Sequence, residues 1–175
     1  MTPPAGWSSD AEPGRGFDLS YPPGWTPKAA ATAGPDHVYY ATAGAPAPLE
    51  MGPDDVWLTV QVQAPAKDGS CALELPGVDG GSVPARVAGK AVDLKLRDPE
   101  PHAVEPTWKA YAVTGDGRRC YVLWFVTLSR ATRTRELGTM REILAGFVPT
   151  PEPAPSPAAS PSAAPTPSPS ASPSE

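Results

Sequence analysis

The sequence predicts an α+β domain, an antiparallel β-sheet with helices packed on its faces, followed by a disordered C-terminal tail. Three observations predict it. Apolar residues between Phe17 and Val148 recur mostly with a period of two, the end of that span switches to a helical period, and no hydrophobic residue larger than alanine follows it.

The opening stretch, MTPPAGWSSDAEPGRG, is polar, punctuated by glycine and proline, and shows no period, so residues 1–15 read as a flexible N-terminal segment. The domain is expected over 16–148. It begins with FDLSYPPGWTP: a strand to Tyr21, then Pro23 and Gly24 at the two central positions of a type II turn, then Trp25. Tyr21 and Trp25 meet across that turn and seal one edge of the core.

HVYYA, from His37, reads as a strand. DVWLTVQVQ places Val56, Leu58, Val60 and Val62 on one face and Trp57, Thr59, Gln61 and Gln63 on the other. AVDLKLR repeats the pattern, with Val92, Leu94 and Leu96 inward and Asp93, Lys95 and Arg97 outward. TWKAYAVTGDGRRCYVLWFVTLS is a hairpin turning at Gly115, Asp116 and Gly117. Its second arm, from Tyr121, is apolar on both faces, which puts it in the middle of the sheet. The segments 64–82 and 98–106 read as loops, the first with room for a short helix around Cys71 to Leu75.

In TRTRELGTMREILAGF, the residues Leu137, Met140, Ile143, Leu144 and Phe147 share an arc of about 120° at about 100° per residue, which makes one amphipathic helix. Thr132 or Thr134 caps its start in this reading, and Gly146 with Pro149 marks its end. From residue 149 to 175 the chain is proline, serine, threonine and alanine with two glutamates. Such a segment buries too little apolar surface to offset the entropy of ordering it.

Of the formal net charge of −5, Glu152 and Glu175 account for −2 and the rest of the chain for −3. Nucleic-acid and membrane-surface binders want a basic footprint, which this balance does not supply. Arg118, Arg119, Arg130, Arg133, Arg135 and Arg141 are interleaved with acids such as Glu136 and Glu142 and read as solvated charges. No apolar run approaches the roughly 20 residues of a bilayer span. The N-terminus shows no signal-peptide pattern, so the chain as it stands reads as cytoplasmic. A tail of this composition resembles the stalks of exported proteins, and an upstream signal would move the protein to the cell envelope.

The chain has two histidines, His37 and His102, neither accompanied by a nucleophile or by metal-ligand spacing. His102 sits in DPEPHAVEP, an acidic loop. No glycine-rich turn opens a helix after a strand, so no phosphate cradle is expected. The reading is therefore of a protein that is not an enzyme and needs no cofactor. Cys71 and Cys120 admit either a single disulfide in an oxidising compartment or two buried thiols in a reducing one.

The motif Phe17, Leu19, Tyr21, Pro22, Gly24, Trp25 resembles the start of the PsbP-like superfamily. RVAGKAV, YAVTGDGRRCYVLWFVTLS and LGTMREILAGFVP are similar to its later strands and closing helix, and they follow in the same order. The resemblance implies the fold shared by photosystem II extrinsic proteins, Ran-binding Mog proteins and actinobacterial lipoproteins, which are mostly non-enzymatic binding or assembly modules. It carries no catalytic residues over. The chain departs from the pattern between Ala64 and Pro84, where a glycine- and proline-rich loop stands in place of a frequent helix.

These readings converge on a non-catalytic module that binds a protein partner or assists assembly or export. The alternatives are a cell-envelope ligand-binding or lipid-anchored protein and, behind it, a hydrolase acting through His37 or His102. The candidate binding residues are Trp57, Arg97 and Tyr111, which take the outward phase of their strands. A helix over that face would cover the first and last of them.

Overall fold

The computed structural model describes residues 4–28, 37–42 and 51–150, so the expected disordered tail lies outside the described residues except at its first two positions. In chain order the elements are β1 (Ser8–Glu12), β2 (Phe17–Tyr21), β3 (Thr26–Lys28), β4 (His37–Ala41), β5 (Trp57–Gln63), β6 (Val78–Val87), β7 (Lys90–Asp98), β8 (Trp108–Gly115), β9 (Cys120–Thr127), α1 (Arg130–Gly146) and β10 (Val148–Pro149). A seven-stranded antiparallel sheet runs β3-β4-β5-β9-β8-β7-β6, and a small sheet runs β1-β2-β10.

The apolar strand β9 is the fourth of the seven, where its two-sided character requires it to be. Tyr121, Leu123 and Phe125 on one face and Cys120 and Val122 on the other are all fully buried. The inner face also receives Leu58, Val60, Leu94, Ala110 and Ala112, and α1 adds Met140, Ile143, Leu144 and Phe147 to the same core. The expectation of several helices is corrected: α1 is the single helix among the described residues.

Ser129 caps α1 by accepting a hydrogen bond from the Thr132 amide at 3.2 Å, three residues ahead of Thr132 and five ahead of Thr134, the caps expected from sequence. The expected type II turn is present, with Gly24 at φ 85° and the Trp25 amide donating to the Pro22 carbonyl at 3.2 Å. Both Tyr21 and Trp25 are buried there. No helix forms at Cys71–Leu75.

Part of the segment 1–15, expected to be flexible, is paired in a sheet. Residues 8–12 form β1, which pairs along its whole length with β2. A strand in this position is held by backbone pairing and by polar side chains, so it carries no apolar period. Asp10 accepts a hydrogen bond from the buried Tyr40 hydroxyl at 2.8 Å and thereby ties the small sheet to β4. Burial first, then Asp10, holds the Tyr40 hydroxyl far above the usual tyrosine range. Behind β2, Phe17 stacks at 5.4 Å from Phe147 and meets Tyr121 edge-on at 6.3 Å. The Tyr121 hydroxyl donates to the Gly16 carbonyl at 2.8 Å, and burial together with the Asp116 carboxylate pushes its pKa up to about 12.

Arg133, expected to be solvated, is only 3% exposed. Its guanidinium donates to the carbonyls of Arg97 (2.9 Å) and Lys109 (3.3 Å) and forms an ion pair with Asp98 at 2.7 Å. The first turn of α1 is thus fixed to the ends of β7 and β8. Truncation would leave a carboxylate and two carbonyls short of a partner, so Arg133→Ala is expected to cost roughly 3 kcal/mol. A denaturant midpoint within experimental error of the parent would contradict the assignment.

The β6–β7 hairpin turns through Ala88 and Gly89, both at positive φ (50° and 78°), the pattern of a type I′ turn. Alanine in this left-handed region costs about 1 kcal/mol, and the position is exposed. Ala88→Asn should therefore raise stability by up to about 1 kcal/mol in a thermal or urea melt. A decrease would show that the turn has another geometry.

Candidate functional site

The antiparallel steps from β5 through β9, β8 and β7 to β6 make β5 and β6 parallel to each other, with three strands between them. The connection 64–77 must therefore return down the length of the sheet while crossing it. It does so on the outer face, opposite α1. A turn closes first, with the Gly69 amide donating to the Ala66 carbonyl (2.8 Å) and the Ala66 amide to the Ser70 carbonyl (2.9 Å).

The chain is then fastened in order. Cys71 is disulfide-bonded to Cys120 at the start of β9, with a Cα–Cα distance of 5.4 Å. At the far end the Pro76 carbonyl accepts from Lys109 Nζ at 3.3 Å, and Gly77 lies against the Asp98 carbonyl. Gly115 makes the crossing fit. A Cβ there would stand 2.5 Å from Cys71 Sγ.

This strap bounds a trough on the outer face. Its two contiguous hollows, of about 340 and 240 Å³, share Glu74, Asp93 and Lys95. The first is floored by Tyr111 and Val113 beneath Leu73; the second extends to Asp79, Ser82 and Arg97. Cross-strand register explains the assembly, since Lys95 is opposite Tyr111 and Arg97 opposite Lys109. The cations flank the Tyr111 ring, Lys95 Nζ at 5.8 Å and the Arg97 guanidinium at 5.9 Å from its centroid.

Arg97 is the singular group here. Its side chain is 12% exposed, and its polar partners all stand at the long end of contact distance: Asp79 at 3.4 Å, the Tyr111 hydroxyl at 3.5 Å and Glu74 at 3.8 Å. Its Nε is buried without a hydrogen-bond partner. The Tyr111 hydroxyl, and after it the two carboxylates, hold the guanidinium pKa above its ordinary value. Burial lowers that of neighbouring Lys109.

Two of the three residues singled out from sequence, Arg97 and Tyr111, thus meet in one trough. Trp57 does not join them. It lies on the same face of β5 but is 2% exposed, packed with Ala41 and Met51 and against Val126 and Leu128. Tyr111 is also fully buried, and the outward phase of both strands therefore does not make either aromatic a surface group. The cover over Tyr111 is the strap rather than a helix. Lys95 and Asp93 were legible as outward positions of β7; Leu73 and Glu74 were not, because an extended crossing carries no period.

His102 is exposed at φ 69° and makes no hydrogen bond to another described residue. The His37 side chain lies outside the described residues. Among the described residues, no three His, Cys, Asp or Glu side chains gather as a metal site.

No family model matches the chain, and no curated protein matches it. Solved structures do. The solution structure of cyanobacterial PsbP (CyanoP) from Synechocystis sp. PCC 6803 superposes with a TM-score of 0.53 at 11% identity, over 83% of this chain and 93% of that one. The fold is PsbP-like. A crystal structure from Bacteroides thetaiotaomicron VPI-5482 matches at a TM-score of 0.50 and 11% identity over 84% of this chain, which spans half the length of that protein. At such identity the likeness of the PsbP-like domain to these two shows architecture alone.

The 49-residue separation of the bridged cysteines sets the worth of the staple. Constraining a loop of that length in the unfolded chain stabilises the fold by about 4 kcal/mol in the chain-entropy treatment. Reduction, or Cys71→Ser with Cys120→Ser, is expected to lower the melting temperature by roughly 10 °C or more. An unchanged melt after verified reduction would show that the strap holds without it.

Proposed function

We propose that this PsbP-like domain is a non-catalytic accessory module that binds a protein partner through the trough between the strap and β7. The observation that supports this most is Arg97, held rigid against Tyr111 yet short of close hydrogen-bond acceptors. Partly buried arginine beside an aromatic ring is the composition of an interface hot spot. The trough's carboxylates and cations, Glu74, Asp79 and Asp93 against Lys95 and Arg97, suit orientation of a charged surface more than proton transfer.

The disulfide favours an oxidising compartment, so the exported or cell-envelope alternative is preferred to a cytoplasmic one. No helix of the described residues is long and apolar enough to cross a membrane. Against the hydrolase reading, His102 makes no hydrogen bond to a nucleophile or an orienting group among the described residues.

The test is site-directed photo-crosslinking in extracts of the source organism. A photoreactive residue at Asp93 should yield discrete protein adducts that one at Arg141, on α1, does not. Lys95→Glu with Arg97→Glu should abolish them, and His37→Gln with His102→Gln should leave them intact. Adducts that ignore the trough charges, or that vanish only with the histidines, would sink the proposal.

A further inference from the structure

This inference rests on the binding reading above and names the chemistry of what binds. The strap between Cys71 and Gly77 starts at the end of β9 paired with Gly115 and finishes beside Asp98, next to the Arg97–Lys109 pair. The path runs along about seven residues of β8, a distance on the order of 20 Å. Six residue steps span at most about 20 Å when fully extended, so the strap runs close to extended ahead of the bend at Pro76 and Gly77.

This extended run has no backbone partner among the described residues. Ala72, Leu73 and Glu74 make no backbone hydrogen bond to another described residue, and Ala72 and Glu74 are exposed. Their amides and carbonyls form a short free edge beside a trough, which is what strand addition requires. Pro84 makes the sheet's own terminal strand β6 a poorer template, since proline offers no donor.

We propose that the strap pairs with an extended peptide segment of the partner, and that an acidic side chain of this segment closes on Arg97. The backbone edge supplies alignment. The carboxylate gains the guanidinium whose present acidic neighbours stand at 3.4 and 3.8 Å and are themselves about three-quarters exposed; Glu74 is free to swing aside, whereas Asp79 is held to the Gly81 amide at 2.9 Å. Tyr111 beneath holds the fork in place.

The probe is a phage-displayed library of random heptapeptides panned against the full, oxidised chain, with enriched sequences synthesised for fluorescence polarisation and hydrogen exchange. Asp or Glu should dominate one position. Bound peptide should slow exchange of the Ala72–Leu75 amides at least tenfold. Arg97→Gln and Leu73→Pro should each weaken binding tenfold or more, whereas Arg141→Gln on α1 should stay within twofold. Leu73→Pro is read only if its melt matches the parent; Arg97→Gln carries the test otherwise.

Absence of any enriched peptide, protection confined to another surface, protection arising from a second copy of this chain instead, or indifference to Arg97→Gln would each overturn the inference. Crosslinks from Asp93 without peptide protection of the strap would leave the binding face standing and remove only strand pairing. Loss of both would remove both.

Discussion

The constraint on which the outer face depends is topological. Because β5 and β6 run parallel with three strands between them, residues 64–77 have no route except over the sheet and down its length. Everything distinctive about that face follows from the crossing. The chain is too short to coil into a helix and still arrive, so it is stretched. Stretched chain has few local hydrogen bonds, so it is anchored by covalent and side-chain means: the Cys71–Cys120 bridge at one end, Lys109 to the Pro76 carbonyl and the close seat of Gly77 at the other. The glycine at 115 is needed because the bridge passes where a Cβ would sit.

The opposite face obeys a different logic. There α1 lies over the strands and closes a conventional apolar core, and its position is fixed by two devices at its ends. At its N-terminal turn Arg133 gathers the carbonyls that β7 and β8 present at their ends. After its C-terminal end Phe147 enters the ring cluster with Phe17 and Tyr121, and the chain runs on through β10 to pair with β2. The Gly16 carbonyl accepts from both the Tyr121 hydroxyl and the Thr150 amide, each near 2.9 Å or closer. The ends of the domain are therefore joined through one peptide group.

The elements with a strong period were legible in the sequence. Strands β5, β7, β8 and β9, the turn at Pro23 and Gly24, and the inward stripe of α1 all follow from alternation, proline and glycine chemistry, and 3.6-residue spacing. What the sequence hid was structure held together by pairing rather than by apolar patterning. Strand β1 is polar because its stabilisation comes from β2 and from Tyr40; the strap is irregular because it is anchored at points. Arg133 illustrates a third reason. Its burial is set by which carbonyls and carboxylate surround it after folding, and no local pattern in RATRTRE distinguishes it from Arg130 or Arg135, which are exposed. For the trough, register carried part of the message: knowing that Arg97 and Tyr111 share the outward phase was enough to nominate them, but only the pairing of β7 with β8 shows that they touch.

The same reasoning limits what the outer face can do chemically. Acid–base work would need a titratable group drawn toward neutrality and a nucleophile within reach of it. In the trough the charges move the other way: Arg97 is held more firmly protonated by Tyr111, Asp79 and Glu74. Glu74 and Asp79 themselves remain mostly solvent-exposed. In the proposed reading, a cation on a rigid aromatic seat beside exposed carboxylates acts as an exchange site for acidic groups. Binding at such a site replaces loose intramolecular pairs with a closer intermolecular one, so its selectivity rests on geometry and charge placement and its energy on the difference between the two sets of pairs. In that proposal the strap, which borders the trough, is the element through which the fold sets access to it.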